Sequence, residues 1–142
     1  MPEQRVEQQP PDVLAMVLAE AVLRDAATGK HFIQGTYAAI FAPTFPWRHP
    51  SIVVYVAITD GHGKTPIKLR LVDVDESRPP VFEGEAVLDF PDPLVVAEGV
   101  FVHAGPVFPE PGEYRLQLLG AGMLLRERRL QVLPPPAPPD HP

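Results

Sequence analysis

The chain has 142 residues, 45% of them apolar and 21% charged, proportions that suit one folded domain and exclude both a second domain of ordinary size and a wholly disordered chain. With no cysteine, disulfide staples, thiolate zinc sites and cysteine nucleophiles are excluded as well. A formal charge of −6 argues against nucleic acid as a partner, because phosphate backbones attract basic surfaces.

Residues 1–11 are polar, without the basic start and apolar stretch of a secretory signal, and read as a flexible N-terminal segment. The first apolar run, Val13–Leu23, carries Glu20 and is about half as long as a bilayer span requires. No membrane contact is expected, and the cytoplasm is the expected location. Ala, Leu, Met and Glu in this run favour helix, but Asp25–Lys30 joins it to the next apolar run as a hairpin turn would, so it is read as a strand. Gly35 inside that next run, Lys30–Phe41, predicts a bulge or a close backbone approach.

Ile52–Thr59 is rich in β-branched and aromatic residues and reads as a buried central strand. Asp60-Gly61-His62-Gly63 reads as a hairpin turn leading to Ile67–Leu71, where Ile67, Leu69 and Leu71 face the core and Lys68 and Arg70 face water. Val81–Phe90 and Leu94–Ala104 are further strands between proline clusters. Pro111-Gly-Glu-Tyr114 opens a strand in which Tyr114, Leu116 and Leu118 alternate with polar residues, and Gly120-Ala-Gly122 returns the chain as a second hairpin through Met123–Leu133. Arg126, Glu127, Arg128 and Arg129 lie within that last strand. No alternation keeps all four in water, so an edge strand or a bulge is expected there. About eight strands and no convincing helix predict an all-β, antiparallel, immunoglobulin-like sandwich over residues 12–133, followed by a Pro-rich disordered tail, 134–142.

The succession Asp25-Ala-Ala-Thr-Gly29, Gly35-Thr-Tyr-Ala-Ala-Ile-Phe-Ala-Pro-Thr-Phe-Pro46 with His49-Pro50, Leu69-Arg-Leu-Val-Asp73, and Phe108-Pro-Glu-Pro-Gly-Glu-Tyr-Arg-Leu116 resembles a family of small bacterial proteins known only as a domain of unknown function. The resemblance spans nearly everything between the tails. It implies an immunoglobulin-like fold and brings no reaction, ligand or catalytic residue with it.

Candidate chemistry is sparse. Ser51 and Ser77 are the only serines and lie in no nucleophile motif. His31, His49, His62, His103 and His141 are scattered singly, so no metal site is predicted. Asp73-Val-Asp75-Glu76-Ser77 lacks the glycine and glutamate of a calcium loop and reads as a solvated acidic turn. Glu83, Glu85 and Asp89 read as the outward face of a strand. Arg126, Arg128 and Arg129, interrupted by Glu127, suggest local salt bridges rather than phosphate binding. Pro135–Pro138 has PxxP spacing but reads as a spacer.

The segment Ala42–Pro50 is the most suggestive, with Phe45, Trp47, Arg48 and His49 in a proline-stiffened connection. These four are the candidate binding residues, although the favoured reading of the loop has Phe45 and Trp47 plugging the open end of the sandwich. No catalytic residue and no cofactor is predicted. The expected function is a non-catalytic interaction or structural module with a protein partner or a second copy. The alternative is a small-molecule, carbohydrate or metal binder, or an enzyme, with its site in loops at one end of the sandwich.

Overall fold

The computed structural model describes residues 10–136, which form strands, turns and loops without a helix. In chain order the strands are β1 (Asp12–Arg24), β2 (His31–Thr36), β3 (Ala39–Phe41), β4 (Trp47–Arg48), β5 (Ser51–Thr59), β6 (Gly63–Asp73), β7 (Phe82–Phe90), β8 (Ala97–Ala104), β9 (Val107–Phe108), β10 (Gly112–Gly120) and β11 (Met123–Leu133). They build a four-stranded sheet in the order β2-β1-β5-β8, a five-stranded sheet β3-β11-β10-β6-β7, and a two-stranded ribbon β4-β9. All pairings are antiparallel except that of β3 with β11. Every segment read as a strand contains one, Val13–Leu23 included. The higher count arises because Lys30–Phe41 splits into β2 and β3, which join different sheets, and because the ribbon adds two short strands. Most of the two predicted flexible ends, with His141 and the second half of the PxxP stretch, lies outside the described residues.

Period-two alternation aims one side of each strand into the space between the sheets. Ile52, Val54, Val56 and Ile58 of β5 face Ile67, Leu69 and Leu71 of β6 and Tyr114, Leu116 and Leu118 of β10 across one core. Each such side chain stabilises the fold by ~1.5–3 kcal/mol through burial. Tyr114, at the start of β10, donates its hydroxyl to the Glu110 carbonyl at 2.6 Å and stacks edge-on against Phe108, 5.1 Å between ring centres. A tyrosine tied to the backbone just upstream of a late strand is the corner found in immunoglobulin-like sandwiches, and it accounts for the Pro111-Gly-Glu-Tyr114 motif. Two packed sheets with this corner make the fold an immunoglobulin-like β-sandwich.

The expected hairpin of Ile52–Thr59 with Ile67–Leu71 does not form. β5 pairs with β1 and β8, whereas β6 pairs with β10 and β7. Asp60–His62 is a corner that carries the chain from one sheet to the other. A Cβ at Gly61 would lie 2.3 Å from the Phe90 ring, so the corner rests directly on a core side chain. Turn residues mark a reversal of direction, but they do not reveal whether the next strand pairs with its predecessor or crosses the core.

The second hairpin, β10–β11, forms as read, with a register shift at Leu118/Leu119 that leaves Leu125 without a partner. β3 covers β11 only at Gln131–Leu133, so the arginine-bearing part is both bulged and at an edge. Arg126 and Arg128 stand opposite Leu118 and Leu116 and therefore share their core-facing side. Their guanidinium groups cross to the other sheet and donate to the carbonyls of Val13 at 2.8 Å and Met16 at 3.0 Å. The expectation of local salt bridges holds for Arg129, 2.8 Å from Glu113; Arg126 and Arg128 instead bind backbone carbonyls of β1.

Pairing of β1 with β5 ends at Ala19, and pairing with β2 runs from Ala19 to Arg24, opposite His31. Tyr55 stands opposite Val17, so a straight β1 would hold His31 seven residues, roughly 23 Å, from the Tyr55 row. Instead the His31 ring centre is 5.4 Å from that of Tyr55, and its Nδ1 is 2.9 Å from Glu98. β1 bends after Ala19, and its hairpin with β2 folds over the outer side of the four-stranded sheet. Val53 and Ala57 are consequently buried, at 6% and 5% exposure, although their register turns them away from the core.

Candidate functional site

The connection from β3 to β5 closes one end of the sandwich. In the β4–β9 ribbon Trp47 stands opposite Phe108, and Arg48 opposite Val107. Phe108 is fully buried, and Trp47 and Phe45 pack against the same core. The inner side of the ribbon is therefore a plug, and two of the four candidate residues belong to it. The outer side carries Arg48 and Val107. Arg48 donates to the Gly105 carbonyl at 3.2 Å, which holds its charge at the rim.

His49, the fourth candidate, is anchored by its own N–H to the Pro106 carbonyl at 2.9 Å. The Trp47 indole N–H donates to its Nδ1 at 3.2 Å. An indole nitrogen only donates, so this Nδ1 is unprotonated and Nε2 carries the hydrogen. Burial also lowers the His49 pKa, favouring the neutral ring. Sequence and fold thus combine to make His49 a fixed hydrogen-bond donor rather than a charge.

His49 lines two adjoining clefts of about 320 and 290 Å³, both shared with Glu20 and Tyr37. Glu20 lies on β1 where that strand leaves β5, and Ser51 adds a hydroxyl from the start of β5. Gly35 faces Glu20 with a positive φ of 69°, and a Cβ there would meet the Glu20 carboxylate at 2.9 Å. The close approach expected at Gly35 is therefore made by a side chain, and glycine leaves the carboxylate its berth. Burial and the charge of Glu20 both raise the Tyr37 pKa, burial more strongly, so the phenol stays protonated. Glu20 and Tyr37 were not singled out from the sequence. The only signals were a carboxylate interrupting an apolar run and a glycine within a strand.

A third cleft, about 380 Å³, lies beside the ribbon between Arg78, Pro79, Pro80, His103, Pro106 and Pro109. Arg78 is 3.3 Å from Glu110, and His103 stacks on Phe82 at 5.0 Å, so both polar groups already have partners. Among the described residues His31 and His62 do not converge with the other histidines, and no group of three or more His, Asp or Glu side chains could hold a metal ion. Asp73 accepts bonds from the Ser77 N–H and hydroxyl at 3.1 and 3.3 Å, capping its own turn as an acidic turn should. Glu83 and Glu85 face outward beside Lys68, at 3.4 and 4.0 Å.

Comparison with solved structures finds an immunoglobulin-like protein from Pseudomonas aeruginosa with 14% sequence identity, covering 89% of this chain and 98% of the other, at a TM-score of 0.41. No curated protein matches the chain. The model of one family matches residues 14–133, almost the whole sandwich. The chain therefore belongs to DUF6941, a family of unknown function.

Proposed function

We propose that the protein is a non-catalytic interaction module that presents the ribbon end of the sandwich to a protein partner. The observation that carries this reading is the division of labour within β4–β9. Trp47 and Phe108 point into the core and fix the ribbon, while Arg48 and Val107, paired on its other side, are exposed. A cation and an apolar side chain held side by side on an anchored ribbon lose little freedom on binding. They suit a partner offering a carboxylate next to an apolar residue, and Arg48 supplies that contrast on a chain of net charge −6.

The test is quantitative capture from lysate of the native host with wild type and the Arg48→Glu, Val107→Asp double variant. The wild type should retain at least one protein that the variant loses, with both giving the same far-ultraviolet spectrum. Identical captured sets from two folded proteins overturn the proposal.

A further inference from the structure

The clefts at Glu20, Tyr37 and His49 play no part in the ribbon reading, and they set one carboxylate among uncharged polar groups. Glu83, Glu85, Glu98, Glu110, Glu113 and Glu127 each lie within 4.0 Å of a basic side chain. Glu20 makes no ion pair or side-chain hydrogen bond among the described residues. Its exposed carboxylate lies directly against Gly35, whose left-handed conformation leaves that side of the cleft without a Cβ. The groups sharing the clefts with it are uncharged. Trp47 and burial keep His49 neutral with hydrogen on Nε2, and Tyr37 remains a phenol.

We propose that this cleft binds a cationic nitrogen head group, an ammonium or guanidinium ion. Glu20 supplies the opposite charge, the Tyr37 ring supplies a face for the cation, and the His49 Nε2–H and Ser51 hydroxyl serve an acceptor next to it. About 300 Å³ on either side of the shared wall fits a head group of a few heavy atoms with a short stem. The head group is either that of a free small molecule or the end of a Lys or Arg side chain on a partner. This inference stands apart from the ribbon reading, which rests on Arg48 and Val107, so either can fail alone.

The experiment is a nitrogen-15 NMR titration of the whole chain with n-butylguanidinium chloride, using n-butylurea as its neutral isostere. Saturable shifts are expected at the amides of Gly35, Thr36, Tyr37, His49 and Ser51. Affinity should fall at least about tenfold in Glu20→Gln, and the urea should give no response. An acetylated, amidated Gly-Arg-Gly peptide separates the sources: tighter binding than butylguanidinium assigns the site to a partner's side chain, and equal or weaker binding to a free cation. Equal binding of the urea, absence of saturable shifts in the wild type, or unchanged affinity in folded Glu20→Gln overturns the proposal. If that variant does not fold, the urea comparison in the wild type decides.

Discussion

The two outer faces of the sandwich are opposites. On the five-stranded sheet, outward positions carry a connected polar lattice. Arg70 donates to Gln117 at 2.6 Å, Gln117 to Glu127 at 2.6 Å, Arg115 bridges Glu113 and Glu127, and Arg129 closes on Glu113. On the four-stranded sheet the corresponding rows are Ala15–Ala57–Glu98, Val17–Tyr55–Val100 and Ala19–Val53–Val102. The difference follows from cover. Water reaches the charged side chains of the first face, which pair laterally at little cost; the β1–β2 hairpin lies over the middle of the second, where Val53 and Ala57 are buried, while Val100 and Val102 on β8 stay exposed beyond it. Glu98, in the row of Ala15 and Ala57, is the hairpin's fastening point, accepting the Tyr55 hydroxyl and facing His31.

Substitutions can break this contrast. The largest effect is expected for Val53→Asp, which places an unpaired carboxylate beneath the hairpin and should cost ~3–5 kcal/mol in urea unfolding. An unchanged midpoint would mean that the hairpin does not cover Val53. A smaller loss, ~1–3 kcal/mol, is expected for Gln117→Ala on the charged face, since it strips the half-buried links to Arg70 and Glu127. A loss as large as that of Val53→Asp would make the two faces equivalent in their demands.

The smallest effect is a titration. Burial, followed by the hydrogen bond and charge of Glu98, pushes the Tyr55 pKa up to about 12, and the Tyr55 hydroxyl is the main cause that lowers that of Glu98. Tyr55 has its folded pKa raised, so its contribution to stability is complete below the ordinary tyrosine value near 10 and is lost as pH climbs through about 12. Glu98 has its folded pKa lowered, so its contribution is present above the ordinary value of 4.5 and is lost as pH falls through the lowered one. The fastening should therefore be intact between these limits and loosen at both extremes. Phenolate absorbance, with Tyr55→Phe as the difference control, should give a midpoint near 12 for Tyr55 in the wild type and a lower one in Glu98→Gln. That midpoint stays above 10 in the variant because burial persists; an identical midpoint would remove Glu98 from the fastening.

Much of the strand pattern was legible because it is a local property. Ile52–Ile58 alternates core residues with outward ones, and Ile67, Leu69 and Leu71 face inward as their spacing requires. The conflict among Arg126–Arg129 was also readable, as four charged residues in succession cannot all avoid the core side of a strand. At the candidate site, the loop carrying Phe45, Trp47, Arg48 and His49 was legible from its aromatic and proline content. Its division into plug and display was not, because that depends on the pairing of Trp47 with Phe108, some sixty residues away.

Residue type and spacing alone determined the class of this protein: short strands punctuated by proline and glycine, with one greasy side each, have no stable arrangement but packed layers. Only the tertiary structure decided which strand lies beside which, that Asp60–His62 crosses between sheets, that β1 bends to bring His31 onto Glu98, and that Glu20 meets Tyr37 and His49. Those outcomes depend on contacts between segments far apart in the chain, whose free energy appears only once both are in place, and no local pattern records it.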